Sequence, residues 1–165
     1  MDAIFTRTSV RSYEEKAVEP EKIDKILRAA MAAPSAMNQR PWEFYVVTDK
    51  KVLQELSKVS PYAGMVDKAP VALVLCNRRE NLPVPELINV DMAIATENVL
   101  LEIEAQGLGG VMLGIAPFAE RMEKIARILD LPVELEAFTI VPFGYPAKRN
   151  PQQDRYEEDR VHYVK

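Results

Sequence analysis

The stretch Asn98-Val99-Leu100-Leu101-Glu102-Ile103-Glu104-Ala105-Gln106-Gly107-Leu108-Gly109-Gly110-Val111-Met112-Leu113-Gly114 decides how this chain folds. Its first half closes the longest helical pattern in the sequence, 86–106. That pattern is apolar at Val90, Ile94 and Leu101 on one side and at Met92, Ala95, Val99 and Ile103 on another. A helix apolar over so wide an arc is buried nearly all round, in a core or in a subunit interface. The second half is a glycine turn running into a strand over 110–113. A dinucleotide-binding fingerprint needs strand, glycine turn and helix in that order, and here the order is reversed. Gly107 and Gly109 therefore read as a helix C-terminus and a tight turn.

Upstream, 2–8 reads as a short helix ending in a basic segment. Val18-Glu19-Pro20-Glu21 opens another helix with proline and acids in its first turn. Ile23, Ile26, Leu27 and Ala30 make its apolar face, and Pro34 ends it. Residues 42–48 (WEFYVVT) form a strand, 50–58 a short helix, and 69–76 a strand apolar enough to be buried on both faces. Downstream, 118–129 is a helix, 136–143 a fourth strand, and 146–165 a polar arm without a core of its own. The connections do not suit βαβ crossovers throughout, so the expected class is α+β, one domain over 1–165, a small sheet flanked by helices.

The composition excludes several classes of function. Net charge is −4, which gives no whole-protein attraction to nucleic acid or to an anionic membrane. A single cysteine, Cys76, excludes an internal disulfide, and a single histidine, His162, excludes a Cys/His zinc site and leaves no catalytic triad to assemble. Cys76 reads as a buried small hydrophobe. The N-terminus lacks a signal-peptide pattern and no apolar run approaches about 18 residues, so the expected location is cytoplasmic.

Two segments are not what a generic packed domain requires. Arg7-Thr8-Ser9-Val10-Arg11 places two guanidiniums and a hydroxyl within five residues, a grip suited to phosphate, or else a solvated charged surface. Ala33-Pro34-Ser35-Ala36-Met37-Asn38-Gln39-Arg40-Pro41-Trp42 is a polar, proline-bounded turn between helix and strand, with Asn38 an ordinary turn residue and Trp42 a strand aromatic of the core. With no side-chain nucleophile in place, any chemistry belongs to a bound cofactor.

In this order the segments resemble the nitroreductase family of FMN-dependent NAD(P)H oxidoreductases. The matching blocks are Arg7–Tyr13, Ala33–Asn38 with Pro41-Trp42, Asn98–Leu101 running into Gly107–Gly114, and Gly144-Tyr145-Pro146 followed by Asp154-Arg155-Tyr156 and Val161-His162-Tyr163. The resemblance implies a mainly antiparallel sheet, an intertwined homodimer, and FMN at the subunit interface. It assigns Arg7, Thr8, Ser9 and Arg11 to the phosphate, the ribityl chain and, for Arg11, the reduced flavin's charge. It assigns Pro34, Ser35, Ala36 and Asn38 to a contact from the partner subunit, Leu113 and Gly114 to the N5 edge, and Arg155 to completing the phosphate site. It also implies hydride transfer from NAD(P)H to an electron-poor acceptor, a nitroaromatic or quinone, by a ping-pong scheme with no obligatory side-chain acid or base. Arg40 stands where many members have an amide, the 77–85 loop is short, and 62–68 yields no assignable flavin contact. An FMN-binding or sensory protein without turnover, and a plain α+β interaction domain, are the alternatives.

Overall fold

The computed structural model describes residues 3–152 and 154–165. Its centre is an antiparallel sheet built on two long strands, β2 (Val71–Arg78) and β5 (Leu135–Gly144). β1 (Trp42–Val47) pairs with the free side of β2. Two short strands, β3 (Gly109–Gly110) and β4 (Leu113–Gly114), pair with the other side of β5. The expected α+β class and antiparallel sheet are both present.

β2 alternates strictly between two cores. Val71, Leu73 and Leu75 face the layer formed by α2 (Pro20–Met31) and α4 (Ile88–Ala105). Ala72, Val74 and Cys76 face the layer formed by α3 (Lys50–Leu56) and α5 (Ala119–Leu129). A strand with helices on both faces has no polar side, so its sequence is continuously apolar. Cys76 is fully buried, and burial pushes its thiol up to about 12, so it is unreactive packing.

The helices end as their sequences dictate. Pro20 occupies the first turn of α2. Asp49 caps α3, its carboxylate accepting from the amides of Lys51 and Val52. At the end of α4, Gly107 adopts φ +74; its amide donates to Glu104 O, and the Leu108 amide to Ile103 O. That pair of bonds is a Schellman cap, which needs the left-handed conformation glycine supplies without strain. The N-terminal helix, α1, spans Ala3–Thr6, shorter than expected from the sequence, and Asp2 lies outside the described residues.

The strand expected over 110–113 is instead two fragments in one register, with Gly110 opposite Phe143 and Leu113 opposite Ile140. Proline 142 explains the break. Its carbonyl accepts from the Val111 amide at 3.3 Å, but it has no N–H to return. Gly109 fits here because Val10 crosses above it: a Cβ would lie 2.6 Å from Val10 Cγ2. This close approach lets the 7–11 segment lie along the sheet end, with a parallel bridge from Ser9 to Gly110.

Candidate functional site at the end of the sheet

The 7–11 segment is pinned from both sides. The Val10 amide donates to Gly110 O, and the Tyr13 hydroxyl donates to Val10 O at 2.9 Å and to Pro142 O at 3.0 Å. Burial raises the Tyr13 phenol well above its usual range, opposed in part by the Arg11 charge. The start of the C-terminal arm is tied to the same region. Arg149 Nη1 pairs with the buried Glu104 carboxylate at 2.6 Å, Arg149 Nη2 donates to Leu108 O at 3.0 Å, and the Ala147 amide donates to Ser12 O. A buried carboxylate with a bonded guanidinium is satisfied, so this clamp fixes where the arm leaves the core.

Between segment and arm lies a cleft of about 1060 Å³, lined by Ile4, Phe5, Arg7, Thr8, Ser9 and Arg11 on one side and by Asn150, Pro151, Gln152, Asp154, Arg155 and Tyr156 on the other. Arg7 makes one weak ion pair, Nε to Glu97 Oε1 at 3.6 Å. Arg11 and Arg155 have no ion pair among the described residues. The Thr8 hydroxyl is buried and has no hydrogen-bond partner among the described residues. An orphaned buried hydroxyl costs about 1–3 kcal/mol unless a ligand meets it.

A second cleft, about 600 Å³, adjoins the first at Arg11, which lines both. Its other walls are Ser60, Pro61, Tyr62, Gly64 and Met65 after α3, then Met112, Leu113 and Gly114, then Arg121 on α5. Neither histidine nor carboxylate lines it. Its volume is that of a small-molecule site.

Of the residues singled out in the sequence, Arg7, Thr8, Ser9, Arg11 and Arg155 meet in the first cleft, and Leu113 and Gly114 join Arg11 in the second. Pro34, Ser35, Ala36 and Asn38 line neither. They form a separate turn in which Met37, Asn38 and Arg40 have φ of 48, 55 and 43. Left-handed conformations in non-glycine residues are uncommon and store strain. The buried Asp91 carboxylate on α4 holds the turn, accepting from the Ala36 amide at 2.9 Å and from Gln39 Nε2 at 2.7 Å. Gln39 also bonds the Val84 backbone through both ends of its amide, and Ser35 Oγ accepts from the Arg40 amide. The buried amide of this turn is thus Gln39, while Arg40 points outward.

Tyr62, Met65, Met112 and Arg121 were not assigned to the site from sequence. Tyr62, Met65 and Arg121 are single ordinary residues that no motif marks, and Met112 lies inside the Gly107–Gly114 block without a role assigned to it. Lys68, in the same stretch, pairs with Asp67 at 3.3 Å and stays outside both clefts.

Among the described residues no group of three or more His, Cys, Asp or Glu could hold a metal ion. No helix among them is long and apolar enough to cross a membrane.

The fold is shared with solved nitroreductase structures. The nitroreductase family model matches residues 4–60 and 58–145, and the chain belongs to the nitroreductase family. A protein of Methanothermobacter thermautotrophicus, provisionally named NADH dehydrogenase/NAD(P)H nitroreductase, is 40% identical over 100% of this chain and 86% of its own. A solved structure from Clostridium acetobutylicum, provisionally named an NADH oxidase, superposes with a TM-score of 0.96 at 42% identity, covering 99% of both chains. The FMN-dependent nitroreductase of Clostridium difficile superposes with a TM-score of 0.92 at 28% identity, covering 99% of this chain and 98% of its own.

Proposed function

We propose that the chain is an FMN-dependent NAD(P)H oxidoreductase acting on electron-poor acceptors, nitroaromatics or quinones. The observation that carries this reading is the first cleft. It gathers three guanidiniums against one lining carboxylate, Asp154, and places Thr8 and Ser9 on the same wall. A phosphate dianion supplies what these groups lack: acceptors for Thr8 and Ser9, and charge for Arg7 and Arg155. The whole span 1–165 works as one domain, with the 146–165 arm closing over the phosphate end.

The residues divide the work by position. Arg7, Thr8, Ser9 and Arg155 hold the phosphate. Arg11, between the clefts, faces the ring end and offsets negative charge there. Bound FMN supplies the two-electron hydride chemistry that no side chain of this protein offers. Leu113 and Gly114 form the wall at which that chemistry takes place. Their carbonyls are held by Thr139 Oγ1 and Arg121 Nη1, each at 2.7 Å, so the wall is rigid. Without histidine or carboxylate in the second cleft, protons reach the acceptor from solvent. Donor and acceptor use the cleft in turn, a ping-pong order.

The working unit is a homodimer. Ile4, Phe5, Met37 and Val90 are apolar and more than half exposed in the single chain, and the 34–38 turn reaches no cleft of its own chain. In the dimer Pro34, Ser35, Ala36 and Asn38 contact the partner's flavin.

The purified protein is expected to be yellow, with about one releasable FMN per chain and a mass in solution of twice 18.6 kDa. Anaerobic NAD(P)H bleaches the flavin, and a quinone or nitro compound restores it. A colourless protein that does not take up FMN overturns the reading. Bound FMN that NAD(P)H never bleaches indicates a binding protein instead.

A further inference from the structure

The second cleft carries a cation that phosphate binding does not use. Its walls hold Arg11 and Arg121 and no carboxylate, in a chain whose net charge is −4. Arg121 is fixed by two contacts. Its Nη1 donates to Gly114 O at 2.7 Å, and its guanidinium carbon lies 4.1 Å from the centroid of the Phe118 ring. Those contacts use one donor and one face, and leave the rest of the fork open. Among the described residues Arg121 has no ion pair, and the adjacent Glu120 is taken by Lys124 at 2.7 Å. A half-buried, pre-oriented guanidinium whose nearest carboxylate, Glu120, is directly paired with Lys124 is suited to receive an anion. Around it, Tyr62, Met65 and Met112 offer flat and polarizable apolar surface.

We infer that Arg121 is a specificity residue: it binds a carboxylate or phosphate carried by a flat aromatic acceptor lying against Tyr62 and Met112, so that anionic acceptors are preferred to neutral ones. The inference rests on the FMN reading above. The same anionic oxygens exist on NAD(P)H, but a dinucleotide that enters ring first leaves its pyrophosphate outside a cleft of about 600 Å³. The acceptor is therefore the source.

The test uses the FMN-loaded protein with 4-nitrobenzoate and its neutral isostere 4-nitrobenzamide, in the native chain, Arg121→Gln and Arg121→Lys. Binding is read from the perturbation of flavin absorbance in the oxidised protein, and turnover from steady-state kinetics with each acceptor and with NADH varied separately. In Arg121→Gln the preference for benzoate over benzamide falls about tenfold, chiefly through KM for the benzoate, as expected for a lost charge-assisted bond. Arg121→Lys recovers part of the preference, and added salt erodes it in the native protein. An unchanged preference in Arg121→Gln overturns the inference. So does an effect confined to KM for NADH, which would assign the cation to the donor. Because the binding measurement needs no turnover, an inactive flavoprotein still decides the question; failure of the FMN reading shows separately, as a colourless protein.

Discussion

The larger cleft and the 34–40 turn are both irregular and polar, yet they treat their polar groups in opposite ways. In the turn every named group is answered from within the chain: the Ala36 amide and Gln39 by Asp91, Gln39 again by Val84, the Arg40 amide by Ser35. In the cleft the Thr8 hydroxyl has no partner, and two of the three guanidiniums have no ion pair among the described residues. The turn stores its tension in the backbone, at three left-handed residues, and the cleft stores it in unmet hydrogen bonds and charge. One segment is built to present a fixed shape; the other, on the reading proposed above, is built to receive a ligand.

The sharpest way to break this contrast is to remove the internal answer. Asp91→Ala leaves the part-buried Ala36 N–H and one donor of the buried Gln39 amide without their acceptor, and the expected loss in urea unfolding is about 2 kcal/mol. Little loss would mean that the turn is held by packing alone. On the other side, Arg7→Ala is expected to weaken FMN by about 2 kcal/mol while leaving the urea midpoint of the apoprotein nearly unchanged, measured by flavin fluorescence titration. Loss of apoprotein stability instead would make Arg7 a structural residue like Asp91.

Alkaline pH separates the two regions in a third way. The Tyr13 phenol staples the cleft wall to β5, and its pKa is raised by burial. Its stabilisation is present below the unfolded phenol's pKa of about 10 and is lost as pH rises through the folded value. Above pH 10 unfolding free energy falls with a slope up to about 1.4 kcal/mol per pH unit from this group, and Tyr13→Phe removes that part of the slope. The smallest effect is at the strained turn. Arg40→Gly relieves a left-handed residue and is expected to raise thermal stability by less than about 1 kcal/mol, the gain reduced by glycine's freedom in the unfolded chain.

Much of this was legible along the chain because it depends on near neighbours. The period of α2, the proline at its start, the glycine after α4 and the continuously apolar β2 all follow from local sterics and burial. The strand after α4 is broken where its own residues predict continuity because the interruption lies elsewhere: Pro142 belongs to β5, and its missing N–H acts on Val111, about 30 positions earlier. The guanidiniums of the larger cleft were visible because they cluster or fall within a family block. Arg121 was not, since an arginine in the first turn of an amphipathic helix looks like a solvated surface residue until Gly114 and Phe118 are brought beside it.

The sequence by itself determined the long elements, the α+β class, the family and the chemical character of the 7–11 segment, because each rests on residue type and short spacing. Only the tertiary structure decided that both chain ends line one cleft, that Arg11 joins it to a second, and that Gln39 rather than Arg40 is the buried amide. Those are matters of which distant groups share a dry space. Burial and pairing of that kind are set by the packing of the whole chain.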